Sequence, residues 1–184
     1  EVCAIVRNGE RVDSLSAGEQ GEVVLNVTPF YAEMGGEVGD TGTITADGVE
    51  LQVTDTKAPE KGLVCHVATV ASGVLTVGMA VSAQVDVKRR ACIARNHTCT
   101  HILHAALRQV LGAHVKQAGS YVGPDRLRFD FTHFESVTPE QLKQVEELAN
   151  SVIMSATATN IFETSLAKLA KRVLPLCSAK SMAM

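Results

Sequence analysis

The sequence predicts an α+β protein: a small β-barrel over residues 1–89, then a two-layer α+β unit over residues 90–184. Three observations predict it. Up to about residue 86, short alternating runs are separated by turn signals, the pattern of an all-β unit. From Arg90 to Leu111, apolar residues recur at helical spacing and stop at Gly112, a residue suited to the position after a helix. A strand pair and a capped amphipathic run follow, so helices cover one face of an antiparallel sheet. The second unit ends without a convincing closing strand and the chain opens mid-strand at Glu1, so these residues read as a piece of something longer.

At 184 residues the chain can bury a sizeable core. Apolar residues make up 46% and charged residues 20%, with no Trp and only 4% aromatics, so the core falls to Val, Leu, Ile and Ala. A net charge of -3 argues against a strongly basic nucleic-acid coat. Basic residues nevertheless gather in the middle third: Lys88, Arg89, Arg90, Arg95, Arg108, Lys116, Arg126 and Arg128. No run of about 18 apolar residues exists to span a membrane, and the N-terminus lacks the basic and apolar regions of a signal peptide. Cys3, Cys65, Cys92, Cys99 and Cys177 are scattered without a C-x-x-C, which fits reduced thiols in a cytoplasm.

In the first unit, residues 2–7 run into Asn8-Gly9, a strong hairpin signal, and residues 11–15 return. Residues 21–27 form the next strand. Residues 41–45 turn at Asp47-Gly48 into residues 49–53, and residues 63–71 turn at Ser72-Gly73 into a strand over 74–87. Between them, residues 28–40 carry the adjacent aromatics Phe30 and Tyr31 and the pair Gly35-Gly36. Adjacent glycines reach φ > 0 and allow a close backbone approach. Two readings stay open for this segment, a glycine-relaxed barrel loop or a loop that faces a site on the following helix.

In the second unit, Leu103, Leu107, Val110 and Leu111 make the apolar stripe of the first helix. Residues 115–122 read as a strand, Gly123-Pro124-Asp125 as a turn and residues 126–131 as its partner, with Leu127, Phe129 and Phe131 on one face. Thr138-Pro139-Glu140-Gln141 is a capping box with Pro at the first helical position, and Leu142, Val145, Leu148, Val152 and Ile153 supply the buried stripe of that helix. Residues 160–164 read as another strand and Ser165 as the cap of a short helix through Val173, whereas residues 174–184 give no clear element.

The chemistry concentrates on the first helix. His97, His101 and His104 stand at i, i+4 and i+7, so their imidazoles share one face, and two imidazoles one turn apart can hold a divalent metal. Spacing alone leaves this open against histidines with no ligand role. Thr98 follows His97, so the general-base Glu of H-E-x-x-H is missing, and a zinc site needs further ligands. Thr100, beside His101, would bring a hydroxyl near a metal or would be a surface helix Thr. Gln117 offers an amide donor and acceptor or is an exposed strand polar. Cys99 lacks an adjacent base and reads as a small apolar side chain. No dedicated carboxylate base is evident.

Three blocks carry a resemblance: residues 96–108 with Asn96-His97-Thr98-Cys99-Thr100-His101-Ile102-Leu103-His104, residues 114–120, and residues 127–134. They closely resemble the alanyl-tRNA synthetase family, and Thr28 to Gly42 resembles that family's barrel insert. The resemblance runs in order over nearly the whole chain. It implies a translation-protein-like barrel followed by the editing domain (the second additional domain shared by threonyl- and alanyl-tRNA synthetases), which hydrolyses tRNA(Ala) mischarged with serine or glycine. Zinc would be held by His97 and His101 with a later C-x-x-x-H pair. Thr100 and Gln117 would lie in the editing pocket, Gly35 and Gly36 near the tRNA acceptor end, and His104 would be a packed helix residue.

Two features depart from the family. Cys99 stands where a small Ala is usual, and residues 1–184 contain no C-x-x-x-H, since Cys177 does not match it. The adenylation domain that uses ATP and magnesium is absent as well, so the piece is expected to be inactive in charging. The expected partners are tRNA(Ala) and its mischarged forms, in the cytoplasm, rather than DNA or a membrane. Two alternatives stand beside this reading: a catalytically incomplete RNA-binding or structural module, and a stand-alone trans-editing relative that shares the histidine helix.

Overall fold

A computed structural model describes residues 1–155. The strand expected at 160–164, the helix at 165–173, and Cys177 lie outside the described residues.

The first half contains nine strands: β1 (Val2–Arg7), β2 (Glu10–Val12), β3 (Ser14–Ser16), β4 (Gln20–Leu25), β5 (Gly42–Ala46), β6 (Val49–Glu60), β7 (Leu63–Ser72), β8 (Val74–Thr76) and β9 (Ser82–Val85). Seven form an antiparallel sheet in the order β2-β1-β4-β7-β6-β5-β9. Asn8 and Gly9, at φ 55° and 82°, close the β1–β2 hairpin as their sequence requires. Two expected strands prove composite. Residues 11–15 do not return as one strand: the chain leaves the sheet at Asp13, and β3 pairs with β8. The strand expected over 74–87 is broken after β8, because Gly78 takes φ 84° and turns the chain back to the first strand. There Val2 N donates to Met79 O at 3.0 Å and Gly78 N to Val2 O at 2.8 Å. One apolar core results, with Ile5, Leu15, Ile44, Leu51 and Leu75 fully buried.

The second half begins with α1 (Val87–Leu111). It starts three residues before the sequence reading because Asp86 is the N-cap, accepting from Arg89 N at 3.0 Å. Gly112, at φ 115°, ends it. An antiparallel pair follows, β10 (Lys116–Val122) and β11 (Leu127–Thr132), and then α2 (Pro139–Met154). The capping box forms as the sequence requires: Gln141 N donates to Thr138 Oγ1 at 3.2 Å and Thr138 N to Gln141 Oε1 at 2.9 Å. Leu107, Leu111, Val115 and Val145 make this half's core, with Phe129 and Phe131 packed against it. The α2 stripe corrects the sequence reading. Val145 is buried, but Leu142, Val152 and Ile153 are exposed at 55%, 42% and 46%. Among the described residues α2 packs chiefly on α1, in a cluster that takes in Val145, Leu148 and Ala149 of the helix. The described chain is thus a mixed α+β protein of antiparallel sheets and two helices.

Candidate functional site

The segment between β4 and β5 joins the two halves. Its inner end is held by His66, which is fully buried on β7. The Val23 carbonyl can only accept, so His66 Nδ1 donates to it at 2.8 Å, and Nε2 of the neutral ring accepts from Thr28 Oγ1 at 2.7 Å. Phe30 packs edge-on against the ring, 5.1 Å between centroids. Burial pushes the His66 pKa below its ordinary value, with the Val23 hydrogen bond acting the other way. The outer end is clamped by α1. The Arg90 guanidinium pairs with Asp40, which is only 3% exposed, and also donates to Pro29 O at 2.8 Å, while Arg89 donates to Gly39 O at 2.8 Å. Asp40 holds the Arg90 pKa above its usual value, against the effect of burial.

At the tip, Met34 and Glu37 exchange backbone hydrogen bonds of 3.2 and 3.1 Å around Gly35 and Gly36. Both glycines take positive φ, 64° and 87°, the requirement of a two-residue type I′ turn. Gly36 has a second reason to be glycine. A Cβ there would stand 2.2 Å from the Ser120 carbonyl oxygen. The tip lies along β10: Glu37 bridges to Val122 in parallel, Val122 N donates to Gly36 O at 2.7 Å, and Ser120 Oγ donates to Gly35 O at 3.1 Å. This docking directs the Glu37 side chain onto α1, where its carboxylate accepts from His97 Nδ1.

His97 and His101 face one another. Their Nε2 atoms are 3.2 Å apart and their ring centroids 5.1 Å. Two nitrogens about 2.0–2.1 Å from one tetrahedral zinc would be about 3.3 Å apart, so the pair has the separation for a shared ion. The carboxylate on the far nitrogen of His97 is the usual partner of a metal-binding imidazole. Among the described residues, no group of three or more His, Cys, Asp or Glu side chains is arranged to hold a metal.

The two rings open into a cavity of about 260 Å³ lined by Tyr31, Glu37, Thr100, Gln117, Ser120 and others, Gly35 among them. Thr100 is 7% exposed, so it is not a surface helix Thr. Its Oγ1 donates to Asn96 O at 2.9 Å, which leaves the oxygen free only to accept from a ligand. Gln117 and Ser120 differ by three positions, and a regular strand would send them to opposite faces. A one-residue irregularity between Gln117 and Gly119 brings both onto the cavity side, opposite Phe131 and Phe129. Burial first, then the Glu37 and Asp40 carboxylates, push the Tyr31 pKa up.

The sequence-predicted residues His97, His101, Thr100, Gln117 and Gly35 therefore share one cavity, and Gly36 docks the loop beside it. His104 does not join them: it is half-buried, its ring lies tilted against Phe129 with 5.2 Å between centroids, and its Nε2 has no hydrogen-bond partner among the described residues. Sequence reasoning missed Glu37, Tyr31 and Ser120. The signal for Glu37 was the Gly-Gly pair before it, but no spacing relates position 37 to position 97.

Comparison with known proteins gives the family. The family described as tRNA synthetases class II (A) matches residues 1–89. The chain is 50% identical to an alanine–tRNA ligase of Pelotomaculum thermopropionicum over 170 residues, 92% of this chain and 19% of that relative. It is 52% identical to that of Nitrobacter winogradskyi over 153 residues, 83% and 17%, and 50% identical to that of Acetivibrio thermocellus over 165 residues, 90% and 19%. The family model and these relatives are class II aminoacyl-tRNA synthetases. More narrowly, the chain belongs to the alanyl-tRNA synthetase family, and it spans less than a fifth of the length of the curated relatives it matches. Among the described residues no helix is long and apolar enough to cross a membrane.

Proposed function

We propose that these residues form the barrel and the first part of the editing domain of a cytoplasmic alanyl-tRNA synthetase, divided near residue 89, and that the cavity receives the aminoacyl ester at the acceptor end of mischarged tRNA(Ala). The observation that carries this reading is the pair of Nε2 atoms 3.2 Å apart, opening into a cavity that also holds Thr100 and Gln117. His97 and His101 would hold zinc, with the rest of its shell supplied from outside the described residues. Bound there, zinc would supply Lewis-acid polarisation of an ester carbonyl and a water of lowered pKa.

The chain's own groups supply recognition. Thr100 Oγ1 has given its hydrogen to Asn96, so it accepts from a donor, and the hydroxyl of a seryl group is a donor that an alanyl group lacks. Polar recognition of one hydroxyl gives discrimination that a small apolar pocket cannot. The Gln117 amide, facing the cavity, would orient the ester. Gly35 and Gly36 would let the RNA backbone approach the tip of the loop. Adenylation with ATP and magnesium, and charging itself, would belong to parts of the family's proteins outside this chain.

The alternative, an RNA-binding module acting through its basic stretch, has less support. Arg89, Arg90, Arg108 and Arg128, half of the basic residues of that stretch, are each bonded within the protein. The test is hydrolysis of serine-charged tRNA(Ala) by the full-length gene product. His97→Ala and His101→Ala are expected to lose more than about 100-fold of this activity, the upper end of what an outer partner alone costs a metal site. Undiminished hydrolysis in both variants would sink the editing reading.

A further inference from the structure

We infer that Glu37, from the loop of the first half, is a positioning residue that sets the tautomer of His97 and so makes half of the metal-binding pair before any ligand arrives. The inference rests on the proposed zinc site only for its consequence, not for the geometry itself. The Glu37 carboxylate meets Nδ1, the nitrogen that faces away from His101. A carboxylate accepts, so Nδ1 carries the hydrogen, and in the neutral form of the ring the lone pair is on Nε2, 3.2 Å from His101 Nε2. A direct ligand role for Glu37 fits less well, because no three-residue metal cluster includes it among the described residues.

The carboxylate is held from behind. Its side chain is 18% exposed, its backbone bridges to Val122, and the turn that presents it is closed by the paired bonds of Met34 and Glu37. Tyr31 Oη adds a bond to Met34 O at 3.2 Å. His101 has no such partner: its only hydrogen bond among the described residues is the one to His97. The pair is therefore asymmetric. His97 is preset by a loop sixty positions earlier in the chain, whereas His101 frees its Nε2 only when an ion displaces the bond between the rings.

Selective ¹⁵N-histidine labelling of the metal-free chain tests this, using long-range proton–nitrogen spectra that distinguish the two tautomers. In the wild type and in His101→Ala, His97 is expected to carry its proton on Nδ1. In Glu37→Ala it shifts toward the Nε2–H form. Glu37→Gln keeps a neutral acceptor in the same place, so it retains the Nδ1–H tautomer with a weakened bond, read as an upfield move of that proton. Zinc affinity of the full-length gene product, measured by chelator competition, falls about 10–100-fold in Glu37→Ala, and by less in Glu37→Gln. Unchanged His97 signals in both Glu37 variants would overturn the inference, whatever zinc does. A tautomer that moves in Glu37→Ala while the full-length wild type binds no zinc would instead uphold the positioning role and remove the zinc reading.

Discussion

His66 and His97 sit in the two halves of the molecule and are treated in opposite ways. His66 is sealed in the sheet, with both nitrogens satisfied and its pKa lowered by burial. His97 is about half exposed on α1, with one nitrogen fixed by Glu37 and the other turned to His101 across a cavity. The surroundings differ in the same sense. The sheet core draws buried residues from nearly all of its strands, whereas α2 leaves Leu142, Val152 and Ile153 largely exposed. A closed apolar unit can hold a histidine as a structural bolt. A unit whose rings face a cavity can use one as a ligand.

The largest way to sharpen this contrast is to truncate each half. Leu51→Ala, at a fully buried sheet position, is expected to cost about 2–5 kcal/mol in denaturant unfolding, against within about 0.5 kcal/mol for Leu142→Ala at its exposed α2 position. Equal losses would mean that the α2 face is covered after all. Next is the joint between the halves. Gly36→Ala forces a left-handed residue, about 1–2 kcal/mol, and drives a methyl into the Ser120 carbonyl, so zinc affinity should drop with stability. Gly35→Ala meets nothing within 4 Å and should show the backbone cost alone.

A smaller effect separates the histidines by pH. The folded-state pKa of His66 lies below the unfolded value, so its contribution is complete above about pH 6.5. It is lost as pH falls through the folded value, because the unfolded chain takes the proton first. Unfolding midpoints between pH 5 and 8 should therefore fall on the acid side, less steeply in His66→Gln. The smallest effect concerns His104. His104→Leu removes a buried nitrogen without a partner and should be neutral or stabilising by about 0.5 kcal/mol, with zinc affinity unchanged. A loss of zinc there would return His104 to the site.

Much of this was legible in the residues because the determinants are local. Asn8-Gly9 dictates its turn, Thr138 to Gln141 its cap, and the 3.6-residue period places His97 and His101 on one face, since each involves positions within a few residues of one another. Thr100 and Gln117 were candidates from their chemistry but left open without the family resemblance, because the burial of one and the strand irregularity that turns the other inward have no periodic signature. The break after β8 was missed because Gly78 matters there only once Met79 has met Val2.

By itself, then, the sequence determined the helix, its paired imidazoles, a glycine-relaxed loop around Gly35-Gly36 and the family. Only the tertiary structure decided that the turn docks on β10 and aims Glu37 at His97, and that Arg90 and Asp40 bolt the loop to the helix. The physical reason is distance along the chain. A carboxylate at 37 and an imidazole at 97 meet because a sheet, a helix and a strand edge bring them together, and no local pattern records that meeting.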